Sequence, residues 1–310
     1  MMNTMSKKHD IEFKPGMQIK GKWHKEVYTI KRKLGSGTVG AVYLCVHNGK
    51  HVALKISEQN SSMTIEVNVL KSLGKVQGSH LGPSLLDVDD WISPSNHIYT
   101  FYVMEYLQGE KVHDFVQRNG PEWIGVFLLQ LLEDLQKLHR AGWVFGDLKT
   151  DNLLIVSSPT RIRWVDVGGT TQIGRAIKEY TEFYDRGYWG LGSRRAEPSY
   201  DLFASVMVML AIAYPNRFSK GAQPKQTLMK KIQSSPMLKP FRECLKQAVL
   251  GKYQTSAAMK RDIIAVLYHE QKKQSQHKPD HVTQKAPMFI EAGGILVLAT
   301  VFYLSSLLFP

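Results

Sequence analysis

The chain has 310 residues, of which 43% are hydrophobic and 22% charged, so it can bury a large core and is not a disordered or fibrous protein. A formal net charge of +13 points to anionic partners, and two cysteines far apart in apolar segments, Cys45 and Cys244, read as buried thiols suited to a reducing cytosol. Met1 to Gly21 is polar with no apolar core segment, so no secretory signal is expected, and the histidines show no ligand-like spacing.

Residues 1–26 read as a basic N-terminal extension carrying Lys14, Lys20, Lys22 and Lys25. Two strand-like runs follow, Val27 to Lys33 and Ala41 to Val46, on either side of Gly35-Ser36-Gly37-Thr38-Val39-Gly40-Ala41-Val42. Glycine lets a hairpin backbone come close to phosphates without a Cβ clash. Fifteen residues after Gly40 the short apolar strand Val52-Ala53-Leu54-Lys55 ends in a lysine that can reach phosphates and needs a carboxylate to hold it. Glu66 is the best partner; it opens a helical run after a Ser/Thr-rich start at Ser61 to Thr64 that could cap it. Glu58 sits too close to the strand end. Phe101 to Tyr106 reads as a strand running into a loop.

Gly146-Asp147-Leu148-Lys149-Thr150-Asp151-Asn152 is the most informative stretch. It puts an aspartate, a lysine and an asparagine in one short loop, the three groups that phosphoryl transfer needs together to orient a hydroxyl, offset phosphoryl charge and hold a cation. Nineteen residues after Asp147, the strand from Ile162 ends in Asp166-Val167-Gly168, where a second carboxylate could hold the metal. The hydroxyls of Thr170, Thr171, Thr181 and Ser193 lie between Asp166 and Glu197; autophosphorylation is expected on one or more of the three threonines, and Ser193 lies just before Arg194-Arg195, where a substrate residue should dock. Between Arg217 and Arg261 stand eleven basic residues against one acid, Glu243. That stretch suits an anionic bilayer or the phosphates of DNA or RNA, with acidic protein substrates as a third use. Residues 269–287, rich in Gln, Lys and His, read as a flexible juxtamembrane linker. From Ala292 to Phe309 there is no charge; at about 1.5 Å per residue this run spans a roughly 30 Å hydrocarbon layer. A single-pass transmembrane helix over 288–309 is therefore expected, with the lysines before it keeping the rest of the chain cytoplasmic and the activating signal intracellular or lateral in the membrane.

In these motifs, in their order and in Arg175 to Gly190, the chain resembles bacterial Hanks-type serine/threonine protein kinases from about Tyr28 to Tyr268, and among them the tail-anchored kinases of spore-forming bacteria. The resemblance implies an α+β, two-lobed fold, with a strand-rich N-terminal lobe over about 27–106 and a helical C-terminal lobe over about 107–268. It implies ATP and Mg2+ or Mn2+ as cofactors and protein hydroxyls as substrates. Asp147 would be the catalytic base with Lys149 beside it, and Asn152 and Asp166 the metal ligands. Gly35, Gly37 and Gly40 would cover the phosphates, and Lys55 and Glu66 would form the ion pair of the active state. Met104 would be the gatekeeper, Glu105 to Leu107 the adenine hinge, and Val42, Ala53 and Leu154 the adenine sandwich. Self-association for trans-autophosphorylation is expected on the membrane.

Several positions depart from the family pattern. Phe145-Gly146 replaces the usual His-Arg, so activation should depend less on loop phosphorylation. Val167 replaces a phenylalanine and should pack with Phe145 and Leu70, and Ala196-Glu197-Pro198 permutes Ala-Pro-Glu. Asp201 fits the aspartate that ties the catalytic loop to the next helix. Two alternatives use the same residues: a small-molecule phosphotransferase of the aminoglycoside-kinase type, which Lys149 and the long segment after Asp166 argue against, and a membrane-bound pseudokinase scaffold.

Overall fold

The computed structural model describes residues 13–37, 39–75 and 81–276. Six antiparallel strands make one sheet: β1 (Gln18–Lys20), β2 (Val27–Ser36), β3 (Ala41–His47), β4 (Lys50–Ser57), β5 (Leu85–Ile92) and β6 (Ile98–Glu105), in the order β1-β2-β3-β4-β6-β5. Successive side chains on a strand point to opposite faces, and the central strands use both. Val52, Leu54 and Ile56 of β4 join Tyr99, Phe101 and Val103 of β6 and Ile30 and Tyr43 in one apolar cluster. Ala53 of β4 and Tyr102 and Met104 of β6 belong instead to the larger core. Lys55 shares that second face, and α1 (Asn60–Gly74) packs on it through Met63, Val67, Leu70 and Leu73, the helical spacing of a buried stripe.

Two local differences from the expected elements have physical causes. Folded structure begins before Val27: β1 adds to the edge of β2, and Phe13 is buried with its ring 5.2 Å from Tyr43 and 5.4 Å from Trp91, both edge-on. Helix α1 starts at Asn60, not at Glu66. Thr64 donates its hydroxyl back to the Asn60 carbonyl at 2.8 Å instead of capping a later helix, so Glu66 sits in mid-helix.

The second lobe is mainly helical, with α2 (Val112–Asn119), α3 (Trp123–Arg140), α4 (Pro198–Ala213), α5 (Pro224–Ser234), α6 (Arg242–Val249) and α7 (Ser256–Gln276). Helix α4 is buried on every side from Ser199 to Ile212, and α3 and α6 pack against it. Five short strands, β7 (Glu110–Lys111), β8 (Trp143–Val144), β9 (Leu153–Val156), β10 (Arg161–Trp164) and β11 (Thr171–Gln172), form two small sheets, β10-β9-β7 and β11-β8. The loops between these strands carry the polar residues of the site. The architecture is thus α+β and two-lobed.

The chain divides into two units, residues 1–268 and 269–310. Good helix formers such as Glu270, Gln271 and Lys272 carry α7 on to Gln276, so the first part of 269–287 is helical and not a flexible linker. The rest of that stretch and the expected membrane span over 288–309 lie outside the described residues. Among the described residues no helix is long and apolar enough to cross a membrane.

Candidate active site

Lys55 stands opposite Tyr102 in the β4–β6 register, so both side chains leave the same face of the sheet toward α1. They meet one carboxylate: Glu66 Oε2 accepts from Lys55 Nζ at 2.6 Å and from the Tyr102 hydroxyl at 2.7 Å. The lysine side chain is only 7% exposed, and Asp166 Oδ1 lies 3.8 Å from its ammonium. Burial pulls its pKa down, but the charges of Asp166 and Glu66 together outweigh burial and hold it above the ordinary lysine range. Burial first and Glu66 second keep the Tyr102 phenol protonated. The expected Lys55–Glu66 pair is therefore formed, whereas the Glu58 carboxylate adds to burial in raising the Tyr99 pKa. Tyr102 had no signal in the chain order, because only strand register brings it beside Lys55.

The loop from Phe145 to Asn152 is tied down from below. Buried Asp201, in the first turn of α4, accepts from the backbone N–H groups of Phe145 at 2.7 Å and Gly146 at 3.0 Å. His139 Nε2 lies 2.8 Å from the same carboxylate. Gly146 has a φ of +81°, and a Cβ there would come within 2.4 Å of the Gly169 carbonyl, so the arginine usual at this position could not adopt this backbone. Above this platform Asp147 Oδ2 accepts from Lys149 Nζ at 2.5 Å, and Oδ1 accepts from the Thr181 hydroxyl at 3.0 Å. Lys149 also reaches the Thr181 oxygen at 3.2 Å. Thr181 arrives from 34 residues away in the chain, so short-range spacing could not point to it. Its hydroxyl is engaged here, Thr170 is buried, Thr171 is half-buried and Ser193 is exposed.

The Asn152 amide donates to the Asp147 carbonyl at 2.9 Å, which leaves its oxygen as an acceptor. Asp166 is 46% exposed, and its Oδ1 accepts from the Gly168 N–H at 2.9 Å. Two oxygen donors of this kind fit a hard divalent cation. Val167 is buried in the same core cluster as Phe145 and Leu70, and Phe145 meets Trp164 edge-on at 4.8 Å, so a smaller apolar residue after Asp166 is accommodated.

On the other side of the cleft, Gly37 N–H closes the hairpin onto the Gly40 carbonyl at 2.9 Å, and a Cβ on Gly40 would come within 2.4 Å of the Ile56 carbonyl. Around Gly35 and Gly37 the space is open. Ala53 and Met104 face each other across β4 and β6 and are buried, while Val42, Leu107 and Leu154 are half-buried. Glu105 ends β6 with its carboxylate turned onto Arg163 at 3.1 Å, so its backbone is what it offers to a hinge.

The segment leading to α4 is cross-tied by pairs that no short motif announces. Arg186 donates to Glu197 at 2.5 Å, to Ser199 at 2.8 Å and to the Ser193 carbonyl at 2.7 Å. That contact first, with Ser199 helping against burial, holds the Glu197 carboxyl below its usual range. Buried Asp185 accepts from Arg194, from the Tyr200 hydroxyl at 3.0 Å and from the N–H groups of Gly187 and Tyr188. Glu197 is thus bound to an arginine of the segment itself. Outside the cleft, His24, Asp87 and Asp89 bring ligand-type atoms together. Their oxygens are already taken by the N–H groups of Trp23, His24, Val88 and Asp90 and by the Tyr28 hydroxyl, and the group fastens the residues before β2 onto β5.

The family model described as "Protein kinase domain" matches residues 28–283. The serine/threonine-protein kinase YabT of Bacillus subtilis is 49% identical over 265 residues, covering 85% of this chain and 78% of that protein. The serine/threonine-protein kinase cds1 of Schizosaccharomyces pombe is 33% identical over 147 residues, covering 42% of this chain and 30% of its own length. A third similar protein, drp72 of Corynebacterium efficiens, is also named a serine/threonine-protein kinase and is 28% identical over 141 residues, 42% of this chain and 27% of its own. These likenesses set aside the small-molecule phosphotransferase, and proteins of this family use ATP with a divalent metal. The chain belongs to the protein kinase family, as an ATP-dependent serine/threonine kinase of the bacterial Hanks type.

Proposed function

We propose that Asp147 is the base that orients and deprotonates the acceptor hydroxyl, that Lys149 offsets charge on the phosphoryl group in flight, and that Lys55, held by Glu66, positions the ATP phosphates. The observation that carries this reading is the contact set at Asp147, where one carboxylate meets Lys149 and Thr181 within 3.0 Å. With Lys149 on one oxygen and Thr181 on the other, the carboxylate has a fixed orientation and a hydroxyl can be received at one place. Asn152 and Asp166 would hold Mg2+ or Mn2+, which supplies charge neutralisation at the phosphates. Gly35, Gly37 and Gly40 would lie over those phosphates, and Met104, the backbone of Glu105 to Leu107, Val42, Ala53 and Leu154 would receive the adenine. The ties of Arg186 and Asp185 support an acceptor platform that is in place without a phosphate on the segment.

The kinase is anchored in the cell membrane by residues 288–309, with its catalytic part in the cytoplasm, and phosphorylates copies of itself in trans on accessible hydroxyls such as Thr171 and Ser193. Its basic stretch binds an anionic surface, bilayer or nucleic acid, and so concentrates molecules. Several of those cations are occupied: Lys231 lies over Tyr214 and Phe218, Lys246 pairs with Glu243, and Lys260 with Glu133. Lys225, Lys230, Lys239 and Lys252 are exposed and are the ones this role would use. Full chain in nonionic detergent, given ATP and Mg2+ with duplex DNA or with phosphatidylglycerol vesicles, should incorporate more phosphate in at least one arm. The gain should fade as salt rises from roughly 50 to 300 mM, and changing the four lysines together to Glu should remove it while leaving basal incorporation. A four-fold variant that responds like the parent would leave the charge as a solvated surface.

A further inference from the structure

Arg163 stands three residues before Asp166, on the face of β10 opposite to its core residues Ile162 and Trp164. Its side chain is 13% exposed, and among the described residues its Nε has no partner. The guanidinium works through Nη2, which donates to the Gly82 carbonyl at 3.0 Å and to Glu105 Oε2 at 3.1 Å. Glu105 in turn is bound to the connection between α1 and β5: its carboxylate accepts from Ser84 N–H at 3.2 Å, and its own N–H donates to the Ser84 carbonyl at 2.9 Å. Gly82 also touches the residue after Asp166, since a Cβ there would lie 2.9 Å from Val167 Cγ1.

One arginine therefore joins three parts of the cleft. They are the end of β6 where the adenine hinge begins, the connection that follows α1 with its Glu66, and the strand that runs into Asp166. A guanidinium this deeply placed keeps its partners, because leaving it unpaired is costly. We infer that Arg163 is a positioning residue for the nucleotide: through Glu105 and Gly82 it sets the hinge against the Asp166 loop, and so controls how tightly the adenine nucleotide is held, with little effect on the transfer step. The inference rests on the hinge assignment under Proposed function.

The test uses the full chain in detergent, with ADP binding measured by calorimetry beside the KM for ATP, kcat and thermal unfolding. Arg163→Met and Glu105→Gln should each weaken ADP binding and raise the KM for ATP by about tenfold, the loss typical of one charge-assisted hydrogen bond. In both, kcat should stay within about threefold of the parent, Arg163→Lys should recover part of the loss, and the double variant should be no worse than the singles. Should Arg163→Met fail to fold, the half-exposed Glu105→Gln carries the same comparison. Unchanged ADP binding, losses that add in the double variant, or a fall in kcat at unchanged KM would each overturn the inference. A parent that binds ADP but transfers no phosphate would instead sink the catalytic reading.

Discussion

Thr181 sets its hydroxyl against both Asp147 and Lys149, and with Asp147 as the proposed base a group in that place would fix the direction in which the carboxylate meets an acceptor hydroxyl. Thr181→Val keeps the side chain's shape and removes the hydroxyl. It should lower kcat by roughly 10- to 100-fold with little change in the KM for ATP or in thermal unfolding, whereas Thr181→Ser should stay near the parent. Steady-state kinetics on the three proteins decides it, and a valine variant with parental kcat would remove Thr181 from the machinery. Asp147, Lys149 and Asn152 were legible in the sequence because their chemistry requires those residue types within one short loop. Lys55 and Asp166 were legible at the ends of apolar strand-like runs, and Glu66 as a carboxylate on the helical run that follows, although that helix begins at Asn60. Thr181, Tyr102, Arg163 and Arg186 were not, since they reach the site through strand register or through a returning segment, and no local spacing encodes either.

Among the elements, the alternation in β4 and β6 decides most of the site's geometry, and it was visible as an apolar strand ending in a lysine. The part before Val27 was less visible, because its lysines mask the buried Phe13 and Ile19. What holds it is the turn at Trp23 and His24 on Asp87 and Asp89. His24 Nδ1 lies 2.6 Å from Asp87, and this hydrogen bond first, then the Asp87 charge, raises the His24 pKa above 6.5, with Asp89 and Glu26 adding to it. A raised folded-state value means that the bond contributes fully below about pH 6.5 and is lost as pH climbs through the higher folded pKa. Thermal unfolding of the parent and of His24→Ala should therefore differ at about pH 5.5 and converge by about pH 8.5. The histidine is 57% exposed, so the gap will be small, and an equal gap at both pH values would contradict the assignment.

At the scale of the whole molecule, a strand-rich lobe supplies the lysine and the glycine hairpin, a helical lobe supplies the aspartates, and a buried Asp201 locks the catalytic loop onto α4. Each departure from the family pattern has a local answer here: Gly146 fits a backbone that arginine could not adopt, Val167 fills its place in the core, and Glu197 finds Arg186. Under the proposed assignment the catalytic groups stand together for turnover and not only for binding, which is what would separate an active kinase from a scaffold. The most direct measurement is incorporation of the γ-phosphate of labelled ATP, with Mg2+, by the full chain and by Asp147→Asn, alongside ADP binding and thermal unfolding. Removing the base while keeping its shape should cut incorporation by about 100-fold or more and leave binding and unfolding near the parent. Incorporation by Asp147→Asn close to that of the parent would contradict the assignment of Asp147, and with it the account of how this kinase works.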